Sequence, residues 1–493
     1  MDSPILVRSL ASPNPIAICV ALALATTLWY VLCRCKSVNN SRTSFRKNKC
    51  VKKRCASLRK LDEHSEDPAR TVSFSNDELH ADADGIWRRN FSRVKQMASD
   101  ILLRNGMMIN FEKLAVKTSA LPEKCFGTKN YLITDSIVDK IYGNLVVEKL
   151  RAIGLEVYKL VVPASSLDRT GDPSTEKSKT LEQFRILTDS ILKNGITKHS
   201  CIISLGGGVV NNMCGFIAAS LYRGISLVHI TTTCMGMVDA AIDFKQAVNH
   251  CCGKNLLGAY YPACRILIDP TLLATQSLRA IRNGIAEAIK HGLCHSPDLL
   301  EFIVSGWNNL KDPVYLEKLI KMTVALKVPT LTHYAESNFN EMCPQYGHSV
   351  GHSLEFLSFH TKGQALLHGE AVSIGCCVTA EIARLRNLCD DDCVEQHYQI
   401  FQRMGLPVYV PEDQKIDEIA RQMKYDKHYA KKNVTMGLLT EIGTMHSING
   451  NFCFTIRDEE VRRALEINIE RREARKTIGE DSSNARMVDF KAA

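Results

Sequence analysis

The sequence lacks paired CxxC motifs, although it contains 19 cysteines among 493 residues. Two cysteine pairs are adjacent, Cys251-Cys252 and Cys376-Cys377, and the others are scattered along the chain. Structural zinc ribbons need closely spaced ligand pairs, so this class of site is not predicted. Scattered cysteines are typical of small buried hydrophobic side chains in a reducing compartment.

Acidic residues are absent from residues 34–60, which contain eleven Lys or Arg residues. The whole chain has a net charge of +9, so the remainder without these eleven charges has a net charge of −2. Nucleic-acid-binding proteins concentrate positive charge on a folded body. The nearly neutral remainder therefore argues against a nucleic-acid partner.

Charged residues are absent from residues 15–33, an apolar run of nineteen residues that is long enough to cross a bilayer as a helix. Because the basic segment follows directly, the positive-inside tendency predicts a single-pass membrane anchor with the catalytic body in the cytosol. The alternatives are a presequence cleaved in a plastid or another organelle, and a buried core helix. The polar, charged stretch that continues to about residue 83 is predicted to be disordered.

The folded body is predicted to contain two domains of different class. Short apolar runs indicate strands at 131–135, 155–162, 201–205 and 227–230, alternating with helical patterns at 137–153 and 179–194. Helical patterns then dominate at 272–291, 298–304, 315–326, 347–359, 370–385 and 459–476. We predict an N-terminal segment (1–84), a Rossmann-like α/β nucleotide-binding domain (85–269), an all-α metal-binding domain (270–465) and a charged tail (466–493).

Three consecutive glycines, Gly206, Gly207 and Gly208, follow the strand at 201–205 and precede an apolar helical segment. A glycine turn between a strand and a helix lets backbone amides approach a pyrophosphate. A triple glycine alone is a weak signal, and its charged neighbours strengthen the prediction of a nucleotide site.

Candidate metal ligands lie in three separate segments: Glu287, the pair His348 and His352, and His368. The pair is four residues apart, so both rings would project from one helical face. One Glu and two His with an open position are typical of a catalytic divalent-metal site. The alternative is that these are ordinary core or surface histidines.

Four basic residues occur within largely apolar sequence: Arg223, Lys245, Lys254 and Lys290. Such side chains are seldom buried without a partner, and a phosphorylated substrate would supply one. The alternative is that their aliphatic stems are covered while the charged ends reach solvent.

From about residue 125 to 455 the chain resembles the sugar phosphate cyclases, the 3-dehydroquinate synthase superfamily. The resemblance is carried by SLGGGVVNN, LYRG, TTTCMGMVDAAIDFKQAVN, GKNLLGAYY, NGIAEAIKHG, YGHSVGHSLE and LLHGEAVSIG. It implies NAD in the first domain and Zn²⁺ or Co²⁺ in the second, with a homodimer also expected. The implied metal ligands are Glu287, His348 and His368.

The resemblance also implies roles for other residues, which we predict as follows. The catalytic set is Lys245, His352, Lys290 and Asn255, and the substrate-binding set is Arg223, Asp239, Lys254, Lys327 and Gln345. The cofactor-binding set is Asp135, Glu176, Lys179, Gly206, Gly207, Gly208, Thr232 and Thr233.

Departures from the dehydroquinate synthase pattern favour a substrate without a carboxylate. Glu341 and Gln345 stand where those enzymes have an Arg and an Asn that hold the carboxylate end, and an acidic side chain would repel it. The segment FKQAVN and the tyrosine of YGHSVGH resemble 2-deoxy-scyllo-inosose synthases, which act on glucose 6-phosphate. Asp426-Lys427-His428 replaces a family motif, which leaves the role of Lys427 open.

The predicted activity is therefore an NAD- and metal-dependent cyclisation of a sugar phosphate with loss of inorganic phosphate. The alternatives are a 3-dehydroquinate synthase, a sedoheptulose 7-phosphate cyclase, a metal-dependent polyol dehydrogenase of related fold, and a non-catalytic membrane-tethered module.

Overall fold

The computed structural model divides the chain into two compact units, Met1–Gln96 and Met97–Ala493. The structure describes residues 80–81, 87–88, 100–108, 126–164, 175–331, 338–361, 365–425, 429–430 and 433–478. In the first unit these residues form two short antiparallel strands, β1 (His80–Ala81) and β2 (Trp87–Arg88). The main fold lies in the second unit.

The second unit contains a six-stranded parallel sheet. Its strands are β3 (Asp100–Leu103), β4 (Asn130–Asp135), β5 (Val157–Val162), β6 (Cys201–Gly206), β7 (Ser226–Thr231) and β10 (Arg265–Ile268). Strands β4 and β6 are buried along their whole length, as expected for a parallel sheet that is covered on both faces. The predicted α/β fold class is confirmed.

The strand order β3-β10-β7-β6-β4-β5 places the switch in winding direction between β4 and β6. Successive strands are added on one side of β4 and then on the other. Ligands of open α/β sheets bind beyond the carboxyl ends of the strands at such a point. Asp135 ends β4 and Gly206 ends β6, so two predicted cofactor residues lie at this position.

The helices that flank the sheet are α1 (Asn144–Ala152), α2 (Leu181–Lys193) and α3 (Gly208–Ser220). Helix α3 begins inside the glycine loop, and its N-terminus is packed closely. A Cβ on Gly207 would lie 2.7 Å from Thr233 Cγ2, and a Cβ on Gly208 would lie 2.9 Å from Ala240 Cβ. Close packing therefore requires glycine at both positions.

The remaining helices form the predicted second region. They are α4 (Leu278–His295), α5 (Pro297–Ser305), α6 (Pro313–Lys327), α7 (Phe339–Gln345), α8 (His348–Ser358), α9 (His368–Leu385), α10 (Asp391–Arg403), α11 (Ile416–Gln422) and α12 (Asp458–Ile478). Helix α9 is central, since most of its residues are buried. The helical class is confirmed, whereas the predicted domain limits at 85, 270 and 466 stay predictions.

Strands within and beside the helical region were not predicted. Strands β11 (Tyr429–Ala430), β12 (Asn433–Met436) and β15 (Phe454–Ile456) form one small sheet, and β13 (Leu439–Glu441) and β14 (Thr444–Met445) form another. Earlier in the chain, β8 (Lys245–His250) and β9 (Gly253–Tyr260) form an antiparallel hairpin. Polar and basic residues interrupt the apolar pattern of this hairpin, so periodicity alone did not reveal it.

No helix in the described part of the second unit is long and apolar enough to cross a membrane. On this finding the prediction of a membrane-anchored protein is wrong, and the membrane-tethered alternative is unsupported. The apolar segment 15–33 on which that prediction rested lies outside the described residues.

Asp269 fastens the end of β10 to the segment after β3. Its buried carboxylate accepts hydrogen bonds from the backbone amides of Gly106 at 2.9 Å and Met108 at 2.8 Å, and from Thr271. Hydrogen bonds to a charged acceptor contribute more than neutral ones, so Asp269→Asn should lower the free energy of unfolding by about 1.5–3 kcal/mol. Urea unfolding measures the change.

Asp312→Asn is the matched control, because Asp312 caps α6 through the amide of Val314 at an exposed position. Asn caps a helix about as well as Asp, so this variant should leave the unfolding midpoint unchanged. Equal unfolding midpoints for the two variants would contradict a structural role for Asp269.

Candidate active site

Three predicted metal ligands converge from three helices. Glu287 lies in α4, His348 begins α8 and His368 begins α9. Glu287 Oε1 lies 3.4 Å from His348 Nε2 and 3.3 Å from His368 Nε2. Ligand atoms 2.0–2.1 Å from one tetrahedral cation lie about 3.4 Å apart, so the spacing fits a single ion such as Zn²⁺ or Co²⁺.

The donor atoms are oriented for such an ion. His348 Nδ1 lies 3.1 Å from the backbone oxygen of Tyr346, and His368 Nδ1 lies 3.1 Å from Glu355 Oε2. Both Nε2 atoms are therefore left to face Glu287. Glu287 Oε1 is buried and has no hydrogen-bond donor among the described residues, which is the state expected of a ligand atom.

The charge of Glu287 is balanced by Lys290 one turn later in α4. Both side chains are buried, Lys290 Nζ donates to Glu287 Oε2, and it also donates to the Pro344 oxygen at 2.8 Å. Burial raises the pKa of Glu287, but Lys290 and His348 outweigh it and hold that pKa well below its usual value. Glu287 is therefore ionised and able to ligate a cation.

His352 lies beside the three convergent ligands. Its ring centroid is 5.2 Å from that of His348 and 5.7 Å from that of His368. A nitrogen of His352 lies within 4.8 Å of one on each of those rings. His352 is half-buried in the same cleft, where it can reach a molecule bound at the cation.

The cleft has a volume of about 730 Å³ and extends from the metal ligands to the glycine loop. Most of the predicted site residues line it: Asp135, Glu176, Lys179, Gly207, Gly208, Thr232, Thr233, Asp239, Lys245, Lys254, Asn255, Lys290, Lys327, Gln345, His348, His352 and His368. The side chain of Glu287 is buried behind this surface. Gly206 lies at the buried end of β6, and Arg223 is exposed outside the cleft.

Four of the five lysines that line the cleft, all except Lys179, already have a carboxylate partner, which the sequence did not reveal. Lys327 Nζ lies 2.7 Å from Asp239 and 3.3 Å from Asp243, and Lys245 Nζ lies 3.1 Å from Asp243. Burial raises the pKa of Asp243, but the two lysines outweigh it and the pKa falls. We expected a phosphorylated substrate to supply the partner of these lysines, and the structure shows that carboxylates of the chain already do so.

The nucleotide side of the cleft is a network of amides around Lys179. Lys179 Nζ donates to Asn212 Oδ1 at 2.9 Å and to Asn255 Oδ1 at 2.6 Å. Asn249 Nδ2 donates to Glu176 Oε1 at 2.8 Å. Burial dominates the electrostatics of Lys179 and lowers its pKa to about 8.

Asp135 has a structural contact in addition to its place in the cleft. Its carboxylate accepts the backbone amides of Ile137 and Val138, both at 2.9 Å, and so caps the helical turn after β4. Burial raises the pKa of Asp135 despite these two hydrogen bonds.

Two further residues of the site were not selected from the sequence. Glu355 accepts from Lys254 Nζ through one oxygen and contacts His368 through the other, while Lys254 also lies 3.0 Å from Glu176. Glu355 thus joins the metal side to the nucleotide side. Its position seven residues after His348, on the same helical face, was the signal that could have identified it.

Asp243 is the second such residue, since it contacts Lys245 and Lys327. It lies in the segment DFKQ, two residues before the predicted lysine, and only its contact with α6 shows its role. Glu341, by contrast, is exposed in α7 and does not line the cleft. Because Glu341 lies outside the cleft, the predicted repulsion of a substrate carboxylate does not act at this site. Of the two residues that depart from the dehydroquinate synthase pattern, only Gln345 lines the cleft.

Comparison with known proteins adds independent findings. A family model described as 3-dehydroquinate synthase N-terminal matches residues 172–283, and one described as 3-dehydroquinate synthase C-terminal matches residues 284–429. A 2-deoxy-scyllo-inosose synthase from Streptoalloteichus tenebrarius is 33% identical over 328 residues, covering 64% of this chain and 80% of the relative. A 3-dehydroquinate synthase from Rippkaea orientalis is 32% identical over 322 residues, covering 64% and 84%.

A solved structure has the same fold. It is a 2-deoxy-scyllo-inosose synthase complexed with carbaglucose-6-phosphate, NAD⁺ and Co²⁺. It matches with a TM-score of 0.65 at 25% identity, over 76% of this chain and 99% of the other.

Proposed function

Because the chain belongs to the 3-dehydroquinate synthase family, we propose that it is an NAD- and divalent-metal-dependent cyclase that converts a sugar phosphate to a carbocycle and releases inorganic phosphate. Its relatives are phosphate-eliminating cyclases, which gives the reaction class. Within that class we propose glucose 6-phosphate as the substrate. A dehydroquinate precursor and sedoheptulose 7-phosphate are the alternatives.

The observation that carries the proposal is the convergence of Glu287, His348 and His368 in a cleft that also reaches the glycine loop. These three residues would hold Zn²⁺ or Co²⁺, and the glycine loop with Lys179 and Glu176 would hold NAD. When bound, the cation supplies polarisation of a substrate alcohol or ketone, and NAD supplies a hydride acceptor.

Side chains of the protein would supply proton transfer, charge balance and substrate orientation. His352 lies beside the metal ligands, with its ring centroid 5.2 Å from that of His348 and 5.7 Å from that of His368, so we assign it to proton transfer at the substrate. Lys290 holds Glu287 ionised. Asn255 lines the cleft and accepts a hydrogen bond from Lys179, so its amide would orient a substrate hydroxyl or the cofactor.

Phosphate binding requires the lysines to exchange partners. Lys245 and Lys254 have carboxylate partners in the ligand-free cleft, and a phosphate would compete for them. Lys245 is the more accessible, since its side chain is 41% exposed against 17% for Lys254. We therefore assign the first phosphate contact to Lys245, with Asp239 orienting the sugar. The assignment of Arg223 and the homodimer stay predictions.

The choice of glucose 6-phosphate rests on Gln345. Gln345 lines the cleft, and its Oε1 is buried without a hydrogen-bond donor among the described residues. An amide oxygen accepts from a hydroxyl, so a polyol hydroxyl bound at this point would satisfy it.

The test is a phosphate-release assay with NAD and Co²⁺ or Zn²⁺ on glucose 6-phosphate, sedoheptulose 7-phosphate and the dehydroquinate precursor. We expect phosphate release from glucose 6-phosphate, with the product identified by mass and NMR spectroscopy. A cyclase regenerates its cofactor, so absorbance of NADH should not accumulate, whereas a polyol dehydrogenase would accumulate it. Phosphate release from none of the three sugars would overturn the proposal.

The pH dependence of NAD binding should follow Lys179. Its pKa is lowered to about 8, so the free protein loses this charge as pH rises through 8. A bound anionic cofactor favours the charged form, so NAD affinity should fall by up to about tenfold per pH unit above 8, with proton uptake on binding. Calorimetry in buffers of different ionisation enthalpy measures that uptake. Lys179→Gln should remove it, and an unchanged uptake in this variant would exclude Lys179 as its source.

A further inference from the structure

A second cluster of metal-ligating side chains lies on α4 beyond the candidate active site. His291 and His295 are four residues apart near the end of α4, and Cys343 faces them from α7. Ligand atoms of all three residues lie within 4.8 Å of one another. His291 and Cys343 are buried, and His295 is half-buried. The cluster shares no residue with the cation site formed by Glu287 and His368.

The distances within the cluster match those of one tetrahedral ion. His291 Nδ1 lies 3.2 Å from His295 Nε2, and it lies 3.9 Å from Cys343 Sγ. Around Zn²⁺, with bonds of about 2.0–2.1 Å to nitrogen and 2.3 Å to sulfur, these separations are about 3.4 Å and about 3.6 Å. Shifts of a few tenths of an ångström would therefore bring all three atoms to bonding distance.

A second thiol lies next to the cluster. Cys294 Sγ lies 3.9 Å from the Cys343 backbone oxygen. Both cysteines are buried free thiols. The ring of Phe339 packs edge-on against His295 at 5.5 Å between centroids. Two imidazoles and a thiolate are typical zinc ligands.

We propose that His291, His295 and Cys343 bind a second, structural Zn²⁺ ion. The ion would fasten α7 to α4. Pro344, which follows Cys343, accepts the hydrogen bond from Lys290, and Gln345 lines the cleft. The site would thus hold in place two residues that line the cleft, while making no contact with the substrate.

The experiment uses the full chain, exchanged from Zn²⁺ to Co²⁺ under reducing conditions. The catalytic site has only nitrogen and oxygen ligands, so a thiolate-to-cobalt charge-transfer band in the near ultraviolet reports on the second site alone. We expect two equivalents of metal per chain and this band. One equivalent without the band would overturn the proposal.

Variants separate the two sites. Cys343→Ser should lose the band and one equivalent of metal, and His295→Ala, at a half-buried position, should lose at least one half of the band intensity. Glu287→Gln should keep the band while it loses the other equivalent. Zn²⁺ should also raise the melting temperature of Glu287→Gln, but not that of a chain that carries Cys343→Ser as well. A band that survives Cys343→Ser, or a Cys294–Cys343 disulfide in place of bound metal, would overturn the proposal.

Discussion

Replacing Glu287 by Gln should lower kcat/KM for the cyclisation by about 10³-fold or more. The carboxylate is the anionic ligand of the predicted cation, and a metal that polarises a reacting oxygen contributes several kcal/mol, with each 1.36 kcal/mol worth tenfold. Gln has nearly the same volume, so the cavity stays filled. Phosphate release at saturating NAD, together with metal content by mass spectrometry, measures the effect.

The same substitution should also lower stability. Lys290 would remain charged and buried without its carboxylate, because Glu287 and Lys290 form an ion pair at 0% and 1% side-chain exposure. Removing one member of a buried pair costs about 3–5 kcal/mol. Activity should therefore be measured at a temperature where circular dichroism shows that the variant is folded.

Glu381→Gln is the matched control for Glu287→Gln. Glu381 is a fully buried carboxylate in α9, paired with Arg471 at 2.6 Å and Arg384 at 3.0 Å, away from the cleft. We expect it to lose stability but to keep its metal and its kcat/KM within a few-fold. If Glu287→Gln retained both metal and activity, the cation site assigned here would be wrong.

Replacing Glu355 by Gln should weaken metal binding or activity by about 10–100-fold, the usual effect of removing the partner of a metal-ligating histidine. Glu355 orients His368 through Nδ1 at 3.1 Å and also pairs with Lys254. Burial lowers the pKa of His368, but the neighbouring carboxylates of Glu287 and Glu355 outweigh it and raise that pKa to about 10. Without Glu355 this ring is less firmly oriented.

Metal affinity, measured in addition to activity, shows why Glu355→Gln loses activity. The metal dissociation constant should rise, and excess Co²⁺ or Zn²⁺ should restore part of the activity. Glu460→Gln is the control, since Glu460 also bridges two cationic side chains, Arg386 and Arg457, outside the cleft. Lost activity at unchanged metal affinity would show that Glu355 acts through Lys254 instead.

Much of the fold could be predicted because local secondary structure depends on local sequence. Each buried strand and each long helix has a hydrophobic pattern that one segment defines, and the glycine loop is a turn that one segment defines. The pair His348 and His352 follows from helical spacing in the same way. The hairpin of β8 and β9 was not predicted, because polar residues that line the cleft interrupt the alternation of apolar and polar residues along its strands.

Contacts between distant segments could not be read in this way. The carboxylate partners of Lys254 and Lys327 are 101 and 84 residues away, and nothing in either local pattern indicates them. Glu341 shows the opposite error, since the family position suggested a place in the cleft and the packing of α7 leaves it exposed. His295 has the helical spacing of four from His291, but nothing in the local sequence indicates that Cys343, in another helix, meets that pair.

By itself the sequence determined which residue types are present, the elements they form and the order in which parallel strands and helices follow one another. It thereby determined the class of fold and the ligands available to a cation. Only the tertiary structure decided which charges meet, which lysines are already paired and that Glu287, His348 and His368 face one another. The reason is physical: periodicity depends on neighbours along the backbone, whereas ion pairs and metal sites depend on distances of 3–4 Å between side chains that packing alone brings together.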